Sequence, residues 1–320
     1  MRELKKTLKS KLWSELEEKL YKEPNNQNVR KNLLLEMQNC LKGFYDHYVT
    51  RDFELIDYDP VFYDLPNFEY GRRVYRNSAK QYGSDKFYLL FGAADIFGAT
   101  VHRPFSFGLS EFLEINSYNF GRGGLGITNI YECISGLREF TQKAEFIIIG
   151  VTSLRSVAPF EQTKLINARF FIEPETGQKI SVQHYLDNLF NKDKRKFIQV
   201  MADIENRSIE IYKAILNLVY CPTFFVFMPN KRAVANNVSE ITPISQNGYP
   251  QGVTWEYLNK LRDICPNIII PDKLHGCSYA VDRFTKLSSS WNFGKKTFQQ
   301  TYYASQETND DILMKLLKLM

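Results

Sequence analysis

The sequence predicts a three-layer α/β sandwich built on a largely parallel β-sheet. Apolar segments suited to buried strands recur along the chain near residues 86–91, 117–120, 145–150, 222–228 and 267–270. Helical patterns lie between most of these segments, and strands that alternate with helices form parallel sheets through right-handed crossovers. We therefore predict that the five segments pair in one sheet with helices on its faces.

The N-terminal region has a helical pattern of its own. Leucines recur every four residues from Leu4 to Leu20, Pro24 interrupts the pattern, and a second helix follows from Val29. We predict a helical extension over residues 1–50 and an α/β domain over 51–320, with an insertion near 157–195. The leucine stripe suits packing on the chain's own domain, and it also suits contact with a membrane surface or with a second copy in a homo-oligomer.

The segment from Lys86 to Ile130 has the pattern strand, glycine turn, helix, strand, glycine turn. The first turn begins at Gly92, directly after an apolar run, and the second contains Gly121, Gly123 and Gly124. In an open parallel sheet both turns lie at the carboxyl ends of their strands, where such folds bind ligands. The sequence thus predicts the functional site at this edge.

The glycines do not match the common nucleotide-binding motifs. The first turn lacks G-x-G-x-x-G, no acidic residue follows at the distance that a dinucleotide site needs, and G-x-x-x-x-G-K-[ST] is absent from the sequence. The five cysteines are scattered without a C-x-x-C pair, which indicates neither a zinc site nor a disulfide framework. We predict no cofactor and no metal.

The loop motifs resemble those of SGNH/GDSL-type hydrolases. Residues 92–98 occupy the position of that family's first loop, Asn119 and Gly121 that of the second, and the apolar strand ending in Gly150 and Ser153 that of the third. The layout is also similar to an uncharacterised bacterial group often linked with surface-polysaccharide genes. The resemblance covers about residues 53–230 and implies an SGNH-like fold, in which Asn119 and Gly121 supply oxyanion donors.

The sequence departs from this family at the nucleophile. Ala93 and Ala94 stand where the family has its serine, and an alanine methyl cannot attack a carbonyl carbon. Asp95 follows directly, and its carboxylate suits a general base, a cation ligand or a cap of the next helix.

The catalytic base has two placements. Asp272 and His275 have the D-x-x-H spacing of the family's last motif, where the histidine is the base and the aspartate orients it. The C-terminal helix, which follows that motif in the wider fold, instead comes after residues 302–309, where no histidine occurs. On the second placement the base is missing as well as the nucleophile.

Arg155 follows a core strand and is predicted to face the crevice that Gly92 and Gly123 line. A guanidinium and the amides of residues 121–124 favour a phosphate, sulfate or carboxylate ligand. The predicted site residues are, for catalysis, Asp95, Asp272 and His275, and for substrate binding, Gly92, Ala94, Asn119, Gly121, Gly123, Ser153 and Arg155.

Charge and composition limit the partners. The chain has 41 basic and 36 acidic residues, a net charge of +5 without a dominant basic stripe, which does not favour nucleic acid. No apolar run reaches 18 residues and no secretory signal pattern occurs, so we expect a cytoplasmic protein without a transmembrane segment. The expected ligand is a carbohydrate or an anionic small molecule.

Three functions remain open from the sequence. The favoured one is a carbohydrate-directed group transferase, with an acyl group as one candidate cargo, in surface-polysaccharide biosynthesis. The second is a non-catalytic glycan- or partner-binding relative in which Ala94 marks lost chemistry. The third is a serine esterase that uses another serine, Ser153 or Ser278.

Overall fold

A computed structural model of the chain describes residues 9–42, 82–98, 101, 103–166, 169–229, 234–246, 249–272, 284 and 304–320. It also describes the backbone of strand residues 5–7, 60–63, 75–76, 291–293 and 296–298. His275 and Ser278 lie outside the described residues. Of the 302–309 loop, residues 302 and 303 also lie outside them.

The strands fall into one central sheet and three small antiparallel sheets. Their bounds are β1 (Lys5–Thr7), β2 (Pro60–Tyr63), β3 (Tyr75–Arg76), β4 (Phe87–Phe91), β5 (Asn116–Asn119), β6 (Ile147–Gly150), β7 (Phe170–Ile172), β8 (Lys179–Ser181), β9 (Thr223–Val226), β10 (Ile268–Ile269), β11 (Trp291–Phe293) and β12 (Lys296–Phe298).

The central sheet is fully parallel and has the strand order β10-β9-β6-β4-β5. Its five strands are the five apolar segments of the sequence, so the predicted α/β fold with a mostly parallel sheet is confirmed. Counted along the chain, the order is 2-1-3-4-5, and the chain therefore reverses its direction of winding between β4 and β6.

Helices cover both faces of the central sheet. Their bounds are α1 (Lys11–Lys22), α2 (Gln27–Cys40), α3 (Ala94–Phe97), α4 (Phe105–Leu113), α5 (Ile127–Gly136), α6 (Arg138–Thr141), α7 (Val182–Lys192), α8 (Lys194–Leu218), α9 (Trp255–Ile264) and α10 (Gln306–Leu319). Within the described part of the chain, none of them is long and apolar enough to cross a membrane.

Strand β4 shows why two helical layers are needed. All five of its side chains are buried, and they alternate between two apolar clusters. Leu89 packs in the cluster that α5, α8 and α9 complete, whereas Leu90 packs in the cluster that α4 and α10 complete. A strand that is apolar on both faces is stable only between two covering layers, which gives the three-layer sandwich.

The N-terminal helices pack against the turn that follows β4. Ser10 and Asn26 cap α1 and α2, and the apolar faces of the two helices meet around Trp13 and Leu33. The same apolar cluster contains Ala94 and Phe97 of α3 and the side chain of Phe284. The division into an extension and an α/β domain stays a prediction, but the helical pair shares a core with α3.

The loop after β5 approaches α3 so closely that it has room only for glycine at residue 121. A Cβ atom on Gly121 would lie 2.5 Å from the backbone nitrogen of Phe97 and 2.8 Å from the carbonyl carbon of Ile96. By contrast, a Cβ on Gly136, the exposed last residue of α5, would meet no atom within 4 Å.

These two glycines give a matched pair of substitutions. Gly121→Ala is expected to lower the free energy of unfolding by about 1–3 kcal/mol, because backbone atoms must shift to admit the methyl group. Gly136→Ala is expected to raise it, by up to about 1 kcal/mol, since alanine favours the helix. Urea unfolding of both variants measures the difference, and a neutral Gly121→Ala would contradict the close approach.

Candidate functional site

The candidate site lies at the carboxyl edge of the sheet, between β4 and β6. In doubly wound sheets, ligands bind at the point where the strand order reverses, which here is the boundary between these two strands. Gly92 and Gly150 end the strands and come into close contact: a Cβ on Gly92 would lie 3.4 Å from the Cα of Gly150. The side chain of Ile96 fills the space over both glycines.

Asp95 is the ionisable group at this point. It is the second residue of α3, whose N-cap is Ala93, so its side chain is not the cap of that helix. Only 4% of Asp95 is exposed. The hydroxyl of Tyr249 donates a hydrogen bond to its Oδ1 at 3.1 Å, whereas its Oδ2 is buried without a hydrogen-bond partner among the described residues.

Burial raises the pKa of Asp95 to about 6, because a carboxylate loses most of its hydration in the protein interior. Hydrogen bonds to the carboxylate, including the one from Tyr249, partly oppose this rise. A carboxyl group with this pKa changes its charge close to neutral pH and suits proton transfer.

Residues 249–252, which we call the bridging segment, join the ends of β4 and β6. Tyr249 reaches Asp95, and two residues later Gln251 accepts a hydrogen bond from the Ser153 hydroxyl at 2.6 Å. The backbone N–H of Gln251 donates to the same Ser153 oxygen at 3.0 Å. The segment contains a cis peptide bond between Tyr249 and Pro250 and ends at Gly252, whose φ of 78° favours glycine.

Ser153 is buried and its hydroxyl is fully engaged. It donates to the Gln251 side chain and accepts from the Gln251 backbone N–H. Neither of these two bonds involves a basic side chain. A nucleophilic serine needs a base within hydrogen-bond reach. The observed contacts give Ser153 a structural role in holding the bridging segment.

Asn119 and Gly121 are also engaged within the protein. The Asn119 side-chain nitrogen donates to the carbonyl of Ile96 at 2.8 Å, and its oxygen accepts from the N–H of Gly121 at 2.8 Å. Asn119 is 1% exposed. These bonds tie the end of β5 to α3, so the two donors implied by the family resemblance point into the protein here.

Ala94 lies in an apolar environment. It is 4% exposed and belongs to the apolar cluster that contains Phe97 of α3 and Trp13 of the N-terminal helices. Ala94, which the sequence resemblance places at the position of the family's serine, is therefore packed against hydrocarbon, while the next residue, Asp95, makes the polar contact with Tyr249.

Asp272 lies apart from Asp95. It follows β10, which is three strands from β4 and thus about 14 Å away across the sheet. Its side chain is largely exposed and forms an ion pair with Lys315 of α10. Since His275 lies outside the described residues, its proposed pairing with Asp272 stays a prediction.

Arg155 and Gly123 lie at the same carboxyl edge as Asp95, on the loops that follow β6 and β5. Arg155 donates to the side-chain oxygen of Gln183 at 2.7 Å. Among the described residues, no group of three or more His, Cys, Asp or Glu side chains could hold a metal ion.

Sequence reasoning missed three residues of the site. Tyr249 and Gln251 belong to a loop that showed only polar composition, and Tyr212 of α8 showed only as a residue of an apolar helix face. Tyr212 donates to the Gly150 carbonyl at 3.4 Å and accepts from Thr152 at 3.3 Å. In the sequence, Pro250 and Gly252 indicate a constrained turn, but they do not indicate that its neighbours contact Asp95 and Ser153.

These features define an α/β protein with a parallel central sheet and a buried aspartate at the point where the strand order reverses. No protein-family model matches the chain, and no curated protein matches it either. A lipase from a goat rumen metagenome is similar in structure at 13% identity, with a TM-score of 0.41, over 73% of this chain and 96% of that one.

A second solved structure is similar over 76% of this chain and 67% of its own length, at 8% identity and a TM-score of 0.36. It is a carbohydrate esterase family 2 enzyme with a carbohydrate-binding domain from Corynascus thermopiles (Myceliophthora fergusii).

The raised pKa of Asp95 predicts a pH-dependent stability. An aspartate in an unfolded chain titrates near about 3.9, so the folded state binds the proton more tightly and loses stability as pH rises from about 4 to about 6. Two pKa units correspond to about 3 kcal/mol. Asp95→Asn removes this loss, so its free energy of unfolding relative to the wild type should rise by about 3 kcal/mol between pH 4 and pH 7.

Denaturant unfolding at both pH values measures this difference. Asp263→Asn removes the same charge from an exposed position of α9 and should show no comparable change with pH. A pH-independent difference for Asp95→Asn would contradict the burial of an ionisable Asp95.

The packing of Ala94 predicts that a serine at this position does not create an esterase. In Ala94→Ser the new hydroxyl enters an apolar cluster, which costs about 1–3 kcal/mol without a hydrogen-bond partner. We expect lower stability and no gain in p-nitrophenyl acetate hydrolysis. Ala202→Ser, on a half-buried position of α8, is the control for the substitution itself. A gain in hydrolysis that His275→Ala removes would contradict this prediction.

Proposed function

We propose that the protein is a group transferase that acts on a carbohydrate, with an acyl group as the favoured cargo and Asp95 as the general base. The observation that carries this proposal is the buried Asp95 carboxyl at the switch point, with its pKa of about 6 and its Oδ2 without a hydrogen-bond partner among the described residues. The loop resemblance supports a carbohydrate acceptor and a place in surface-polysaccharide biosynthesis.

Asp95 suits the activation of an acceptor hydroxyl. Its carboxylate takes the proton from the hydroxyl, whose oxygen attacks the acyl carbon of the donor. The bond from that carbon to the leaving group breaks, and Asp95 passes the proton on to the leaving group. Transfer is direct, because Ala94 offers no nucleophile for a covalent intermediate.

Tyr249 has a positioning role in this proposal. Its hydrogen bond to Oδ1 leaves Oδ2 as the oxygen that accepts the proton, and it also limits the rise of the Asp95 pKa. Since Asp95 is 4% exposed, an acceptor must displace the groups that cover the carboxyl. The exclusion of water in the closed site strengthens its electrostatic interactions.

The test measures acceptor-dependent release of p-nitrophenol from p-nitrophenyl acetate, with a panel of mono- and oligosaccharides as acceptors. We expect release that depends on a sugar, rises with pH through about 6 as Asp95 ionises, and falls in Asp95→Asn by about 10²–10⁴, the usual contribution of a general base. Tyr249→Phe should move the midpoint of the pH profile upward, because it removes a bond that stabilises the carboxylate.

Asp263→Asn is the matched control and should keep the wild-type rate and pH profile. Sugar-independent hydrolysis that Ser153→Ala abolishes would contradict the proposal in favour of a serine esterase. Acceptor-dependent release that Asp95→Asn leaves intact would contradict the role of Asp95.

A second candidate is a glycan-binding module without catalysis, and the apolar packing of Ala94 favours it. In that case the buried carboxylate accepts hydrogen bonds from sugar hydroxyls and transfers no proton. Sugar binding by wild type without turnover of any donor would support this alternative.

A further inference from the structure

A cationic side chain lies over the glycine loop that follows β5. The Arg169 guanidinium covers Gly124: a Cβ on that glycine would lie 3.0 Å from Nη2 and 3.6 Å from Cζ. Arg169 is exposed. No carboxylate of the described residues forms an ion pair with Arg169, and its backbone bonds to described residues involve only Ile166 and Val182.

The same loop presents backbone donors beside this guanidinium. The N–H groups of Gly123 and Gly124 make no hydrogen bond with any residue that the structure describes. Gly124 has a φ of 82°, and a left-handed residue in such a turn lets successive N–H groups form an anion-binding concavity. Both glycines are half-buried, so an anion can reach these donors.

Two consecutive residues at the start of α7 connect Arg169 with a second arginine, Arg155. Val182 donates its N–H to the carbonyl of Arg169 at 2.9 Å, and Gln183, the next residue, accepts from Arg155 at 2.7 Å. Loops after β5 and β6 also meet directly, because a Cβ on Gly126 would lie 2.4 Å from the Cβ of Ser156. The glycine loop and both arginines therefore share one corner of the carboxyl edge.

We propose that Arg169, Arg155 and the N–H groups of Gly123 and Gly124 form a subsite for a phosphate group of the substrate. This subsite rests on the proposed function, in which it would hold a phosphate-bearing donor or acceptor while Asp95 takes the proton. A phosphate has enough oxygens to meet a forked guanidinium and two adjacent amides at once, whereas a carboxylate has only two.

The experiment titrates the full-length protein with inorganic phosphate, pyrophosphate, a nucleoside diphosphate and acetate by calorimetry, without any transfer reaction. We expect saturable binding of the phosphates, stronger than that of acetate. Arg169→Ala should weaken phosphate binding about tenfold or more. Arg169→Lys should recover part of the loss, since it keeps the charge but not the fork.

Arg262→Ala removes an equal charge from an exposed position of α9 and should leave the affinity unchanged. If the nucleoside diphosphate binds more tightly than pyrophosphate, the natural phosphate is carried by a nucleotide. If the two bind equally, the subsite recognises the phosphate alone. No saturable phosphate binding, equal binding of acetate, or an unchanged affinity in both Arg169→Ala and the Arg155→Ala/Arg169→Ala double variant would overturn the subsite.

The two proposals fail separately. Asp95→Asn should bind phosphate as the wild type does, because Asp95 is not part of the subsite. Phosphate binding without sugar-dependent transfer would reject the proposed function and support the subsite. Sugar-dependent transfer without phosphate binding would reject the subsite and support the proposed function.

Discussion

Burial of the central sheet on both faces is the constraint on which the rest of this structure depends. Every side chain of β4 is covered, alternately by α5, α8 and α9 and by α4 and α10. With both faces covered, a ligand can approach the sheet only at its edges. The reversal of strand order between β4 and β6 then directs the polar groups after these strands to one place.

The turn after β4 separates polar from apolar contacts over two consecutive residues. Ala94 joins the apolar cluster of the N-terminal helices, whereas Asp95 meets the Tyr249 hydroxyl. A short helix directs successive side chains about 100° apart, so this division follows from α3 itself. The turn thus places hydrocarbon packing at one residue and a carboxyl group at the next.

The bridging segment explains how an ionisable group remains buried here. Gln251 is fixed by two hydrogen bonds with Ser153, and Gly252 turns the chain back against Leu154 and Met201. This holds Tyr249 over Asp95, where its hydroxyl bonds one carboxyl oxygen, while the other has no partner in the part of the chain that the structure describes. A buried polar atom without a partner is costly, so the state of this oxygen calls for an explanation, and a catalytic role is one.

The sequence by itself determined the fold class, and it predicted a site at the carboxyl edge of the sheet. Apolar runs such as 145–150 are long enough to form buried strands, and Gly92 and Gly121 mark turns at strand ends. Both signals can be read from the sequence because they depend on residues that are neighbours along the chain. It also predicted Asp95 and Ala94 as residues of the site. Only the tertiary structure decided what these residues touch.

Tyr249 lies 154 residues from Asp95, Arg169 covers Gly124 from another element, and the apolar neighbours of Ala94 come from the N-terminal helices. Local periodicity carries no information about such contacts, because they are set by how the elements pack across the sheet.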